Sequence, residues 1–308
     1  MILSILLLLS FPTFFSLFYS QQTPRPQQSS KQTTIKHVDI ADNSVLLESG
    51  KAAKLRTTPA NGEIRIISYN IRWRSGDDLK ELIKAFREDN EIGNPTIIAL
   101  QEVDRHKKRS GKTNTAKLIA DELGLYYAWA APPSTNKGDE EETGVALLSV
   151  YPLTDVCRLI LPHKGPGGRR RAALGASIMV GNVPIRIYSA HAETRISMDE
   201  KLDQLNALLE DLKSHSPEAP AIIMGDLNTW QSDAAPRTIK LFSDAGFVTP
   251  FGDARTFQRK VLFVPIDFRL DWIWMRGLEA INHGIDKEVT VSDHWPLWTN
   301  VKLQNAKP

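Results

Sequence analysis

The chain has 308 residues, with 38 Lys and Arg against 36 Asp and Glu, for a net charge of +2. So even a balance excludes both a polycationic architectural nucleic-acid binder and a highly charged disordered chain. Cys157 is the only cysteine, which excludes an intrachain disulfide and a Cys-rich zinc site; its simplest role is that of a small core residue.

Residues 1–20 carry no charged side chain, and the first charge after Met1 is at Arg25. This pattern suits a signal peptide or an uncleaved N-terminal anchor, so the protein is expected to be exported, periplasmic or extracellular, or membrane-tethered. Residues 21–60 are rich in Gln, Pro, Ser and Thr without an apolar period, which suits a flexible linker; Val45, Leu46 and Leu47 form a short patch able to dock on the body. Globular composition runs over residues 61–303, a length that suits one large domain, and leaves 304–308 as a tail.

Within the globular part, IRIISYN alternates as a β-branched strand ending at Asn70. Leu79, Leu82, Ile83 and Phe86 then recur at helical spacing, and TIIAL predicts a buried strand ending at Gln101 and Glu102. AKLIADEL predicts a second helix closed by Gly124, and residues 143–148 a strand. Gly181 and Asn182 separate two strand-like runs, a hairpin signal whose second arm ends at His191. MDEKLDQLNALLEDLKS is an amphipathic helix, AIIMGDLN an apolar strand followed by polar residues, and RLDWIWM and residues 291–301 two last strands.

The strands end repeatedly in Asn, Glu, His or Asp, which gathers polar groups from distant sequence at one edge of a sheet stack. Singly, each such residue has a structural explanation as a turn or cap. Two basic clusters, Lys107 to Lys112 and Arg169 to Arg171, lie in Gly-containing loops, where they meet either a polyanion or only solvent. Ser110-Gly111-Lys112-Thr113 is no phosphate-binding P-loop, because His106 stands where that motif needs glycine.

In order along the chain stand S-Y-N, L-Q-E-V, S-A-H, G-D-L-N, R-L-D-W-I and S-D-H. With this set the chain resembles the endonuclease/exonuclease/phosphatase superfamily, the deoxyribonuclease I-like proteins, over residues 63–302. The resemblance implies an α/β (α+β) four-layer sandwich, two mainly antiparallel sheets packed face to face with helices outside. It implies a divalent-metal-dependent phosphoesterase: a cation on the phosphoryl oxygen, a group to position water, and charge stabilisation of the leaving oxygen. Oxygen-rich ligands favour Mg²⁺, with Mn²⁺ or Ca²⁺ as alternatives.

On the same resemblance, Glu102 with Asn70 and Asp293 would hold the metal. Asp226 and Asn228, two residues apart and expected on one side of an extended segment, would serve the attacking water. His294 would donate to the scissile phosphate with Asp271 orienting it, and His191 would act as general acid at the leaving oxygen. Arg109, Arg170 and Trp230 are candidate substrate contacts, Trp230 as a base-stacking platform or as core. The core set does not identify the ester. An exported nuclease or phosphodiesterase acting on nucleic acid as a monomer comes first, a phospholipid or small-molecule phosphatase second, and an inactive binding protein of the same fold third.

Overall fold

The computed structural model describes residues 46–59, 63–133, 142–215, 217–261 and 264–304. The expected signal or anchor lies outside them, as do most of the expected linker and residues 305–308. One part of the linker is ordered: β1 (Leu47–Lys51) pairs antiparallel with β4 (Tyr126–Ala130), and Leu46 and Ala52 at its flanks are buried. Order therefore begins before residue 61, because an edge strand needs only backbone partners and an apolar anchor at each end.

Strands β2 (Ile64–Asn70), β3 (Ile97–Arg105), β5 (Glu142–Ser149), β13 (Leu278–Ile285) and β14 (Leu297–Leu303) complete a seven-stranded sheet in the order β1-β4-β5-β3-β2-β14-β13. A second sheet runs β12-β9-β8-β7-β6, from β6 (Thr154–Ile160), β7 (Ala172–Val180), β8 (Val183–His191), β9 (Ala221–Asp226) and β12 (Asp271–Arg276). A separate hairpin joins β10 (Phe257–Val261) to β11 (Val264–Phe268). Each large sheet has one parallel pair, β2 with β3 and β8 with β9, and is otherwise antiparallel. The final strand begins at Leu297, so the stretch from Val291 to Pro296 is a loop rather than the expected strand.

Side-chain alternation sets the layers. On β9, Ile222 and Met224 join the core between the sheets, while Ala221 and Ile223 pack outward with the helices; on β12, Ile273 and Met275 point inward, Trp272 and Trp274 outward. The outward layer is covered by α3 (Met198–His215) through Leu205, Leu208 and Leu212 and by α4 (Ala234–Asp244) through Phe242. Over the seven-stranded sheet lie α1 (Gly76–Glu88), burying the expected Leu79, Leu82, Ile83 and Phe86, and α2 (Thr115–Leu123). The side chain of Asn114 caps α2 by accepting from the amides of Ala116 and Lys117, and left-handed Gly124 ends it. The four-layer sandwich expected from the sequence is the observed architecture.

Trp274 stacks on Trp272 and Phe242 with ring centroids 5.0 and 4.8 Å apart, filling the layer beneath α4. Replacing Trp274 with Ala is expected to cost about 3–5 kcal/mol, through lost burial and the cavity left behind. Urea denaturation checks this as a fall in the midpoint at unchanged slope.

Candidate active site

The register of three neighbouring strands assembles the centre. Asp226 at the end of β9 lies opposite Asp271 on β12 and His191 on β8, so the three form one row across the sheet. They continue the inward stripe of Ile222, Met224, Ile273 and Met275, which places them at the mouth of the inter-sheet core. From the facing sheet Asn70, at the end of β2, donates from Nδ2 to Asp226 Oδ2 at 3.0 Å and lies 3.4 Å from Glu102 Oε1. The strand ending at Asp226 needs its glycine: Gly225 has φ +141°, and a Cβ there would lie 1.9 Å from the Ala190 carbonyl oxygen.

Glu102 is not a strand end. Strand β3 runs on to Arg105 through a register shift between Gln101 and Val103, and Glu102 takes φ +54° in that bulge. A bulge removes one residue from the ladder and re-aims its side chain. Asp226 and Asn228 are likewise not on one extended segment, because the chain turns after β9 and Asn228 has φ +52°. The turn is held by Asn228 N donating to Asp226 Oδ1 and Asn228 Nδ2 donating to the Ala192 carbonyl, both at 3.0 Å.

His294 Nδ1 is 2.8 Å from Asp271 Oδ2, and its Nε2 is 3.8 Å from Asp226 Oδ2. Thr256, not anticipated from sequence, donates to the same Asp271 oxygen at 2.7 Å and accepts the Leu270 and Asp271 amides. Burial alone would lower the His294 pKa. The Asp271 charge and hydrogen bond, with Asp226 and Asp293, overcome it and raise the imidazole to about 9. Asp226 moves the other way from an ordinary carboxylate: burial pushes its pKa up, the charges of Asp271 and Glu102 add to this, and His294 opposes them.

His191 Nε2 lies 3.5 Å from Asp226 Oδ2, while Arg171 Nη1 donates to its Nδ1 at 3.2 Å. Burial, followed by the charges of Arg171, His294 and Arg169, holds the His191 pKa well below its usual value. The ring is therefore neutral at pH 7, and the donor at Nδ1 leaves its proton on Nε2. Arg171 in turn is held at 3.1 Å by the fully buried Glu193, which also forms a two-pronged pair with Arg169. Burial would raise the Glu193 pKa, but the Arg169 hydrogen bond and the Arg171 charge hold it below the usual carboxylate range.

A cavity of about 390 Å³ opens beside this centre, lined by Glu102 and His191 together with Trp73, Arg109 and Arg169 to Arg171. Arg109 stands 4.3 Å over the Trp73 ring, but its guanidinium is paired two-pronged with buried Asp104 at 2.7 and 3.0 Å. Arg170 lines the cavity with no hydrogen bond or ion pair among the described residues. Trp230 is 49% exposed, its indole nitrogen bonded to the Thr194 carbonyl, so it is a surface residue rather than core. Asp293 pairs with Arg72 at 2.7 Å.

A divalent cation fits this donor set. Glu102 is only half buried and its contact with the Asn70 amide is weak, which leaves a carboxylate open to a hard cation. Asp226, Asp271 and His294 also bring one ligand atom each within 4.8 Å of one another, and Asp271 Oδ1 is buried with no hydrogen-bond partner among the described residues. The other such cluster among the described residues, Cys157, Asp211 and His215, is already neutralised: an Arg186 nitrogen lies 2.8 Å from the thiol sulfur and 3.4 Å from Asp211.

The chain belongs to the endonuclease/exonuclease/phosphatase family, whose sequence model matches residues 67–294. The family comprises phosphoric ester hydrolases that use divalent metals. Two UPF0294 proteins of Vibrio vulnificus are 28% identical over 110 residues, 36% of this chain and 36% of each relative's length. Among solved structures, an endonuclease/exonuclease/phosphatase of Beutenbergia cavernae superposes with TM-score 0.63 at 17% identity, over 79% of this chain and 72% of the other. The human Nocturnin catalytic domain with bound sulfate gives 0.60 at 17% identity, over 79% and 94%. D. rerio TDP2 complexed with single strand DNA product gives 0.61 at 15% identity, over 78% and 99%. These structural likenesses establish the fold.

In the metal-free protein, His294 is expected to titrate above its ordinary 6.5, near 9, and in Asp271→Asn near or below 6.5. Because the folded value is raised, the pair's stabilisation is complete below the unfolded pKa of about 6.5 and is lost as pH rises through about 9. Ring-proton NMR titration of both proteins checks the shift, and equal titration midpoints would refute it.

Proposed function

We propose that this protein is an exported, divalent-metal-dependent phosphodiesterase that hydrolyses nucleic acid. The observation that carries the reading is that two members of the centre, Glu102 and His191, line the same cavity as Arg170 and Arg171. A diester within a polymer has charged neighbours to either side, and a cavity with the guanidinium of Arg170, unpaired among the described residues, beside Glu102 and His191 suits such a chain. The exposed Trp230 adds a face on which a base can stack. Export rests on the uncharged apolar residues 1–20.

Glu102 and Asn70, with Asp293 nearby in sequence to His294, are the residues we assign to the cation, which supplies Lewis-acid polarisation of the phosphoryl oxygen. Asp226, with its proton affinity raised toward neutrality, is suited to take the proton of an attacking water, which Asn228 helps to place. His294, charged and braced by Asp271, donates to the phosphoryl oxygens. His191, neutral with its proton on Nε2, serves as a hydrogen-bond donor to the phosphate rather than as a strong acid, a narrower role than the sequence suggested.

The test is a substrate panel on the full chain with Mg²⁺ or Mn²⁺. Single-stranded and duplex DNA and RNA are expected to be shortened and EDTA to abolish turnover. Glu102→Gln and His294→Ala are each expected to lower kcat by about a hundredfold or more. Release of inorganic phosphate from a phospholipid headgroup or small monoester, with polymers left intact, would replace this reading by a phosphatase. Full activity in both variants would overturn the site itself.

A further inference from the structure

Helix α3 carries two polar side chains on the face it turns to the sheet. Lys201 and Gln204 are completely buried, on the same face as Leu205 and Leu208. A lysine is almost never so placed unless its ammonium has partners that repay its desolvation. Both residues reach past the sheet edge to the turns that leave it. Gln204 Oε1 accepts the Glu193 amide at 2.9 Å, just after β8, and its Nε2 donates to the Pro162 carbonyl at 2.7 Å. Lys201 Nζ donates to the Asn228 carbonyl, just after β9, and lies 3.5 Å from Gln231 Oε1.

Asn228 lies in left-handed backbone, a region that asparagine tolerates better than other non-glycine residues and that local bonds can fix. Three bonds do so here. Its amide is bound by Asp226, its side chain by Ala192, and its carbonyl by Lys201. The first of these also fixes the Asp226 carboxylate, so a turn that relaxes releases the carboxylate with it.

We propose that Lys201 is a positioning residue: its ammonium, supplied from the outer helical layer, locks the turn that sets Asp226 and Asn228 toward the substrate. The inference rests on the reading of those two residues as the groups that serve water. The hydrogen-bond partners of the Lys201 ammonium among the described residues are the Asn228 carbonyl and Gln231, so it bonds to the turn and not to a reacting atom.

Lys201→Met fills the same space without a donor, and Lys201→Gln keeps a donor one atom shorter. Both are assayed as full chains with Mn²⁺ and bis(4-nitrophenyl) phosphate. Lys201→Met is expected to lower kcat about tenfold to a hundredfold with KM within about threefold, and Lys201→Gln to recover part of the loss. Leu205→Ala, on the same buried face, is expected to lower Tm while the folded enzyme keeps its kcat. An unchanged kcat in Lys201→Met, or an equal fall in Leu205→Ala, would overturn the proposal. A crystal structure of Lys201→Met decides it without turnover: Asn228 is expected to leave positive φ and lose its bond to Ala192, and an unaltered turn refutes the positioning role. A wild-type chain inert toward every phosphodiester would count against the proposed function alone.

Discussion

The fold of this protein converges on one buried carboxylate. Asp226 sits where the two sheets meet, takes a hydrogen bond from Asn70 of the facing sheet, and stands between the Nε2 atoms of His191 and His294. A charge in such a place is expensive, and the structure answers with a ring of donors rather than with solvent. Asn70 ties one sheet to it, the parallel pairing of β8 with β9 brings His191 to its side, and the antiparallel pairing of β9 with β12 brings Asp271 to its row. Shifting any of these strands by one residue would turn its polar end away from the others and its apolar stripe toward the helices.

Around that carboxylate, charges are arranged in pairs whose work is orientation. Glu193 spends itself on Arg169 and Arg171, and Arg171 then selects the tautomer of His191. Asp104 accepts from the guanidinium of Arg109, and Asp271 accepts the Nδ1–H of His294. The two histidines end in opposite states, one neutral beside arginine and one charged beside aspartate, although both are buried in the same cleft. That separation gives two imidazoles a few ångströms from one carboxylate different proton affinities. The basic residues seen as runs in the sequence divide in the same manner: Arg169, Arg171 and Arg109 have acidic partners inside the protein, and Arg170 faces the cavity without one among the described residues.

The outer helices contribute more than cover. The apolar face of α3 is interrupted by Lys201 and Gln204, whose bonds reach the turns after β8 and β9. Polar residues at buried helical positions are a local inconsistency of the kind met at functional or strained sites, and here each is satisfied by a backbone group of a turn. Burial at Lys201 lowers its pKa to about 8, against the pull of Asp226 and Glu193, and the ammonium keeps its charge at neutral pH.

Local sequence determined a good deal. The helices α1, α2 and α3, the hairpin of β7 and β8, and the placement of Asn70, His191 and Asp226 at strand ends follow from periodicity, capping residues and turn chemistry, all of which act over a few residues. The ordered set of motifs also carried the family and its four layers. Only the tertiary structure decided that Glu102 sits in a bulge, that Asn228 adopts left-handed backbone, and that Thr256, Arg171, Glu193 and Lys201 are hydrogen-bonded in and around the candidate site. The order in β1 and the exposure of Trp230 were decided there too. The physical reason is the same in each case. Register, bulges and the choice of a charge's partner depend on strands and loops far apart in the chain, whose meeting is set by the packing of the two sheets and not by the residues on either side.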